Sequence, residues 1–210
     1  MERRPYKSDV VVFDLDETLY EEIAFVRGGF RAVAVWLERE VPGAQAEKCY
    51  EWMMEELARR GRGRVFDAVL ERLGLRATRR MVSACVQAYR KHEPELALYP
   101  DSGRILQALD AAGVPVYIVT DGHPGVQAAK LKALGLIGRP PVRRCYLTRR
   151  YGLRCEKPSP FCFLRICERE GTPPERVVYV GDNPRKDFVG IRPYGFRTVR
   201  VMRGEHAAVE

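Results

Sequence analysis

Residues 10–20 have the sequence VVVFDLDETLY, in which three acidic side chains follow directly on an apolar run. A short run of valine and phenylalanine is typical of a strand buried on both faces, and we predict this strand over residues 8–14. Because side chains two apart on a strand point the same way, Asp14 and Asp16 should face one site while Leu15 faces the core. Two neighbouring carboxylates need a counter-charge or bound protons. The stretch therefore predicts a charged site at the end of a buried strand.

Strand and helix patterns alternate from residue 99 onward. Apolar runs and helical periods predict strands at 114–120, 143–148, 176–182 and 197–201, and helices at 101–113, 125–135, 160–170 and 184–195. Asp101 or Ser102 is the expected N-cap of the first of these helices. Such alternation favours right-handed crossovers and a parallel sheet covered by helices on both faces. This part of the chain is therefore predicted to be an α/β domain.

The stretch between the first strand and residue 98 contains only helical patterns. Apolar residues recur at helical spacing in residues 22–40, 46–60, 64–75 and 78–92. The first strand has to pair with the later ones, because a buried strand needs neighbours on both sides. We therefore predict a Rossmann-like, three-layer α/β core from residues 1–19 and 98–210, with residues 20–97 inserted as an all-helical cap domain.

Composition and charge narrow the class of protein. The 210 residues are 46% hydrophobic and carry a net charge of +8, which fits a globular protein. No apolar run approaches the roughly 20 residues of a membrane helix, and the N-terminal residues lack the apolar stretch of a signal peptide. We therefore expect a cytoplasmic protein with no membrane partner. Six cysteines are present without a C-x-x-C pair, which argues against a zinc site.

Basic residues concentrate in one segment of the chain. Residues 122–155 contain eight Lys or Arg and no Asp or Glu. No helix-turn-helix, zinc-finger or aromatic RNA-binding motif accompanies them, so we expect no nucleic-acid partner. A positive field that attracts small phosphorylated molecules is one interpretation, and a solvated surface of ion pairs is the other.

Polar side chains cluster where the predicted strands end. Ligands of open α/β sheets bind in the crevice at the carboxyl ends of the strands. The candidate residues there, with those of the adjoining loops, are Asp14, Asp16, Thr120, Asp121, Gly122, Lys157, Asp182 and Asp187. The sequence therefore predicts a crevice that holds several carboxylates, one hydroxyl and one ammonium group.

This set of residues suits phosphoryl transfer. Asp14 ends the most rigid strand and is the candidate nucleophile, while Asp16 is the candidate acid and base. Asp14 and Asp182 offer the hard oxygen ligands that Mg²⁺ prefers. Such a site could form and hydrolyse an aspartyl-phosphate.

The remaining residues of the set are candidates for binding the phosphate group. The Thr120 hydroxyl and the amides of Asp121 and Gly122 can donate to phosphate oxygens at a helix N-terminus. Lys157 would offset the charge on those oxygens. Thr120 could instead be an ordinary N-cap, and Lys157 an ordinary surface lysine.

Four short motifs in this order, DLDETL, TDG, KP and GDNPRKD, resemble those of the haloacid dehalogenase-like (HAD) hydrolase superfamily. The resemblance implies that Asp14 is the nucleophile and Asp16 the acid and base. It implies that Mg²⁺ is held by Asp14, the backbone carbonyl of Asp16 and Asp182. Asp187 would be a further carboxylate at the metal, although a charge interaction with a helix start is an alternative.

Two details of the motifs refine what the resemblance implies. Dehalogenating members typically lack the second aspartate of the first motif, because no leaving alkoxide needs a proton, so Asp16 favours phosphate chemistry. Asp121 stands where many members have asparagine, and its side chain could either repel phosphate or turn away. We therefore assign the Asp121 side chain no direct role.

The function expected from the sequence is a Mg²⁺-dependent phosphatase. Its substrate would be a small phosphomonoester such as a sugar phosphate, a nucleotide or phosphoglycolate. A phosphomutase with the same residues and a non-catalytic protein that binds a phosphorylated ligand are the alternatives. The sequence leaves open whether the protein is a monomer or a homodimer.

Overall fold

The computed structural model describes residues 9–209, which form two compact units. One unit runs from the start of the described chain to Glu22 and resumes at Leu96, and the other is Ile23–Glu95. The chain leaves and re-enters the first unit at one place, because Tyr20 pairs with Leu98 in an antiparallel bridge. The sequence places the corresponding boundaries at residues 19/20 and 97/98.

The first unit is built on a parallel sheet of five strands in the order β3-β2-β1-β4-β5. The strands are β1 (Val10–Phe13), β2 (Val116–Thr120), β3 (Val142–Leu147), β4 (Val177–Gly181) and β5 (Arg197–Arg200). β1 lies in the centre between β2 and β4, and all four of its residues are buried. The predicted α/β fold with a parallel sheet is therefore confirmed, and the carboxyl ends of β1, β2 and β4 meet at one edge.

Three α-helices accompany the sheet: α5 (Pro100–Ala111), α6 (Pro124–Ala133) and α7 (Phe161–Glu170). On one face of the sheet, alternate residues of β1 and β4, including Val12 and Tyr179, form a buried cluster with Phe163 of α7. The predicted N-cap of α5 was wrong, since Tyr99 occupies that position and Pro100 is the first helical residue. The fixed φ of proline suits the first position of a helix, so α5 begins earlier than Asp101.

The helix predicted at 184–195 was also wrong. This segment forms turns and one short 3₁₀ helix, Arg192–Tyr194. Gly190 lies so close to the carbonyl oxygen of Pro158 that a Cβ would stand 1.6 Å from it. Gly190 and Pro193 both disfavour a continuous helix, and the tertiary contact with Pro158 determines the backbone instead.

The second unit is helical. Its four helices precede α5 in the chain and are therefore numbered α1 to α4. They are α1 (Glu22–Glu40), α2 (Ala46–Arg60), α3 (Val65–Arg72) and α4 (Arg79–Lys91), close to the four predicted ranges. Their apolar faces share a core that includes Leu37, Met53 and Cys85. Gly29 lets α1 approach Tyr89 of α4, because a Cβ there would stand 2.4 Å from its ring. Within residues 9–209, no helix is long and apolar enough to span a membrane.

Candidate active site

Asp14 lies at the carboxyl end of the central strand β1. Its backbone N–H donates to the carbonyl of Val180 on β4 at 2.8 Å, which extends the sheet pairing into the site. Its side chain is buried, with 6% of the residue exposed. Carboxylate oxygens of Asp14, Asp182 and Asp187 lie within 4.8 Å of one another. The structure thus brings three of the predicted residues into one buried acidic group.

Lys157 lies within this acidic group. Its Nζ donates to Asp14 Oδ1 at 2.6 Å, to Asp187 Oδ1 at 2.7 Å and to the Tyr179 hydroxyl at 3.0 Å. An ammonium group has three N–H donors, so these contacts use all of them. Lys157 is therefore no surface lysine, and in this state it compensates the carboxylates and fixes the Asp14 side chain.

Asp187 is held by the loop that follows β4. Its Oδ2 accepts from the amide of Asn183 at 2.9 Å, and its Oδ1 accepts from the Tyr179 hydroxyl at 3.0 Å. Gly181 makes room for it, since a Cβ there would stand 2.5 Å from Asp187 Oδ2. The described residues 184–195 form no α-helix, so the alternative role of Asp187, a charge interaction with the N-terminus of a helix, is wrong.

The charges of the acidic group do not balance. Burial raises the pKa of Asp14 to about 7, with Lys157 opposing the rise and Asp187 and Asp16 adding to it. Burial, followed by the charge of Asp187, also raises the pKa of Asp182 to about 7. Three carboxylates facing one ammonium leave an excess of negative charge that protons or a cation must offset. Hard oxygen donors grouped in this way fit Mg²⁺.

Asp16 has a separate set of partners. Its Oδ1 accepts from Lys130 Nζ at 2.6 Å and from the Tyr20 hydroxyl, and its Oδ2 accepts from Gln127 Nε2 at 2.8 Å. Burial alone would raise the pKa of Asp16, but the charge and hydrogen bond of Lys130, with those of Tyr20 and Gln127, lower it below its usual value. Asp16 is therefore an ionised carboxylate that accepts hydrogen bonds from two residues of α6, Gln127 and Lys130.

The loop after β2 carries the candidate phosphate-binding groups. Thr120 is the last residue of β2 and His123 is the N-cap of α6, so Thr120 is not the cap of that helix. The Thr120 hydroxyl accepts from Gln127 Nε2 at 2.6 Å, which leaves its own proton to donate. Gly122 has a φ of +116°, a conformation that favours glycine. This loop places Thr120 and Gly122 at the N-terminus of α6.

Both carboxylate oxygens of Asp121 contact other residues of the protein. Its Oδ1 accepts from the Thr148 hydroxyl at 2.7 Å and from the backbone N–H of Lys157 at 3.1 Å. Its Oδ2 lies 3.5 Å from Lys186 Nζ. Asp121 thus ties together the loops that carry Thr120, Lys157 and Asp187.

Four residues of the site were missed by sequence analysis: Tyr20, Gln127, Lys130 and Tyr179. A signal was present for Lys130, which lies four residues after Val126 on the apolar stripe of α6, where a lysine is unusual. Tyr179 gave no signal, because a tyrosine inside a buried strand is ordinary core composition.

Comparison with known proteins agrees with this architecture. The fold and the strand-end cluster define an α/β protein whose charged side chains gather at the carboxyl edge of a parallel sheet. The family model of the haloacid dehalogenase-like hydrolases matches residues 8–195, and the chain belongs to this family. The resemblance in the four motifs is thereby confirmed.

The relatives include enzymes with two kinds of name. The glyceraldehyde 3-phosphate phosphatase of Methanopyrus kandleri is 32% identical over 95% of this chain and 86% of its own length. The (S)-2-haloacid dehalogenase 4A of Burkholderia cepacia is 35% identical, but over only 52% of this chain and 45% of its own. The crystal structure of a predicted phosphoglycolate phosphatase from Haemophilus somnus 129pt has the same fold, with a TM-score of 0.65, 20% identity and coverage of 96% of this chain and 88% of that chain.

Proposed function

We propose that the protein is a Mg²⁺-dependent phosphatase that hydrolyses a small phosphomonoester through an aspartyl-phosphate. The observation that carries this proposal is the second aspartate of the first motif, Asp16, held by Lys130 and Gln127 two residues after Asp14. Ester hydrolysis needs an acid for the leaving oxygen, whereas a departing halide needs none. The Methanopyrus relative, which is named a phosphatase and matches nearly the whole chain, supports the same choice.

In the first step, a carboxylate oxygen of Asp14 attacks phosphorus. The bond between phosphorus and the ester oxygen breaks, and that oxygen leaves with a proton from Asp16. The product alcohol departs and an aspartyl-phosphate remains. Thr120 and the amides of the loop at Gly122 would donate to the phosphoryl oxygens during this transfer.

In the second step, water attacks phosphorus of the aspartyl-phosphate. Asp16 accepts the proton of the water, the bond between phosphorus and the Asp14 oxygen breaks, and inorganic phosphate leaves. Asp14, Asp182 and the backbone carbonyl of Asp16 would hold Mg²⁺, with Asp187 beside them. Bound there, Mg²⁺ would offset negative charge on the phosphoryl oxygens and keep Asp14 ionised.

The substrate would be a small phosphorylated metabolite. A sugar phosphate is favoured, since the Methanopyrus relative, which matches 95% of the chain, is named for a triose phosphate. The experiment is to incubate the purified protein with glyceraldehyde 3-phosphate, other phosphate esters and 2-chloropropionate, with Mg²⁺ or with a chelator. We expect Mg²⁺-dependent release of inorganic phosphate and no release of chloride.

The same assay separates the alternatives. Release of chloride without phosphate would make the protein a dehalogenase. Isomerised sugar phosphate without free phosphate would make it a phosphomutase. Binding of phosphate esters without turnover would make it a binding protein and contradict the proposal.

A further inference from the structure

We infer that Lys130 and Gln127 of α6 are positioning residues that orient the Asp16 carboxylate for proton transfer to the leaving oxygen. The inference rests on the proposed phosphatase function. It gives α6 two tasks, since the N-terminus of this helix adjoins the predicted phosphate-binding loop and its first two turns hold the acid through Gln127 and Lys130. The contacts of these two residues carry the argument.

Lys130 is buried between two carboxylates. Its Nζ lies 2.6 Å from Asp16 Oδ1 and 3.5 Å from Glu22 Oε1, and 3% of the residue is exposed. A lysine is rarely buried in a helix face, because the loss of hydration is costly and the ion pair often does no more than offset it. Fixing the geometry of Asp16 gives a reason for a buried lysine that stability alone does not supply.

The donors around Asp16 restrict both of its oxygens. Lys130 and the Tyr20 hydroxyl bind Oδ1, and Gln127 Nε2 binds Oδ2. With a donor on each oxygen, rotation of the carboxylate about its own axis breaks at least one hydrogen bond. Catalytic groups need this kind of support, since small errors in position reduce the rate strongly.

Gln127 also links Asp16 to the predicted phosphate-binding loop. Its Nε2 donates to Thr120 Oγ1 at 2.6 Å as well as to Asp16, and 2% of the residue is exposed. Loss of Gln127 should therefore disturb both the acid and the hydroxyl of Thr120. Lys130 faces Asp16 and Glu22, so its loss should act on the kinetics mainly through the acid. We therefore expect different kinetics from variants of Gln127 and of Lys130.

The test compares Lys130→Met with Lys132→Met, a matched change at an exposed lysine of the same helix. Each variant is assayed with 4-nitrophenyl phosphate, whose leaving group needs no proton, and with an alkyl phosphate, whose leaving group does. A displaced acid should lower kcat/KM for the alkyl ester by about 10- to 100-fold, part of the range that general acids contribute. We expect less than about threefold loss with the aryl ester, and no change with either ester for Lys132→Met.

A second variant, Gln127→Leu, keeps the test valid where Lys130→Met fails to fold. It should raise KM for both esters through Thr120 and lower kcat/KM more for the alkyl ester than for the aryl ester. Equal losses on both esters in the folded variants, or no loss in either, would overturn the inference. Failure of the wild-type protein to release phosphate from either ester would instead overturn the proposed function.

Discussion

Asp14 and Asp16 occupy neighbouring but opposite environments. Each accepts a hydrogen bond at 2.6 Å from one buried lysine, Lys157 or Lys130. Burial nevertheless raises the pKa of Asp14 to about 7, while Lys130 and its neighbours lower the pKa of Asp16 despite burial. The reason lies in the neighbours, since Asp14 shares its lysine with Asp187 whereas Asp16 adds donors from Tyr20 and Gln127.

Under the proposed mechanism, the difference means that a bound ligand would shift each aspartate toward the protonation state it needs. As the proposed nucleophile, Asp14 has to be ionised, and a bound cation would lower its raised pKa. As the proposed acid, Asp16 has to carry a proton, and a dianionic phosphate beside it would raise its lowered pKa. Under the proposed function, metal and substrate would therefore act on opposite members of the pair.

The largest effect is expected from Asp14→Asn. An amide cannot form the acyl phosphate, so turnover of a phosphate ester should fall by about 10⁶-fold, the scale seen for loss of a nucleophile. The measurement is phosphate release with saturating Mg²⁺. Asp110→Asn, at an exposed position of α5, is the matched control and should retain full activity. Near-normal turnover of Asp14→Asn would refute the assignment of the nucleophile.

Asp16→Asn should give the next largest effect and sharpen the comparison. An asparagine keeps the size of the side chain but cannot act as a general acid or base, so kcat should fall by about 10²- to 10⁴-fold. Because Asp16 is also the proposed base for water, the aspartyl-phosphate should accumulate when a good leaving group is used. Rapid-quench labelling with a radioactive aryl phosphate would detect it on Asp14. An unlabelled protein with undiminished aryl phosphate turnover would exclude Asp16 as the base, and undiminished alkyl phosphate turnover would exclude it as the acid.

The opposite pKa shifts predict how pH and metal affect stability. The pKa values of Asp14 and Asp182 rise from 3.8 to about 7 on folding, so between these values the folded state binds more protons than the unfolded state. Their contribution to stability is therefore fully present below pH 4 and is lost as pH rises through about 7. The lowered pKa of Asp16 acts the other way, and its contribution is lost only as pH falls below 4.

Thermal unfolding at pH 5 and pH 8, with a chelator or with Mg²⁺, measures this difference. Protons compete with the metal for Asp14 and Asp182, so Mg²⁺ should raise the Tm more at pH 8 than at pH 5. Asp182→Asn should remove most of the metal effect and part of the pH effect. An equal increase in Tm at both pH values would show that the carboxylates do not bind the metal in competition with protons.

The sheet and helices were predictable because their signals are local. The apolar run before Asp14 and the alternation after residue 99 depend on side-chain periodicity, which the α/β unit preserves. The segment 184–195 was not predictable, since the contact between Gly190 and Pro158 determines it and the two are far apart in sequence. The N-cap of α5 was missed because the preference of proline for the first helical position outweighed the capping signal of Asp101.

The residues of the site that follow the ends of strands were predictable. The residues that lie inside a helix or a strand were not. Asp14, Thr120 and Asp182 are marked by position, because strand ends of a parallel sheet converge. Lys130 and Tyr179 lie within α6 and β4, and their partners are set by packing between elements. Such contacts join residues far apart in the chain, so the position of Lys130 on an apolar stripe marks it as unusual but does not reveal its partner.

The smallest effect is expected from Asp121→Asn, which compares the charge of a third carboxylate with those of Asp14 and Asp16. The amide oxygen can replace Oδ1 as acceptor for the Thr148 hydroxyl and the Lys157 amide. The charge of Asp121 is lost, but its pair with Lys186 is 3.5 Å apart and partly exposed, and its charge acts on Lys157 less than those of Asp14 and Asp187 do. Turnover should stay within about threefold of wild type, since a weak exposed pair is worth under about 1 kcal/mol.

Asp121→Leu is the contrasting variant at the same position. It removes the acceptor shared by Thr148 and the Lys157 amide, so the loop that carries Lys157 should lose its anchor. Turnover should then fall by about 10-fold or more, as when a supporting residue of a metal or catalytic ligand is lost. Equal activity of the two variants would mean that the loop holds Lys157 without Asp121, whereas a large loss in Asp121→Asn would place the charge of Asp121 in the reaction itself.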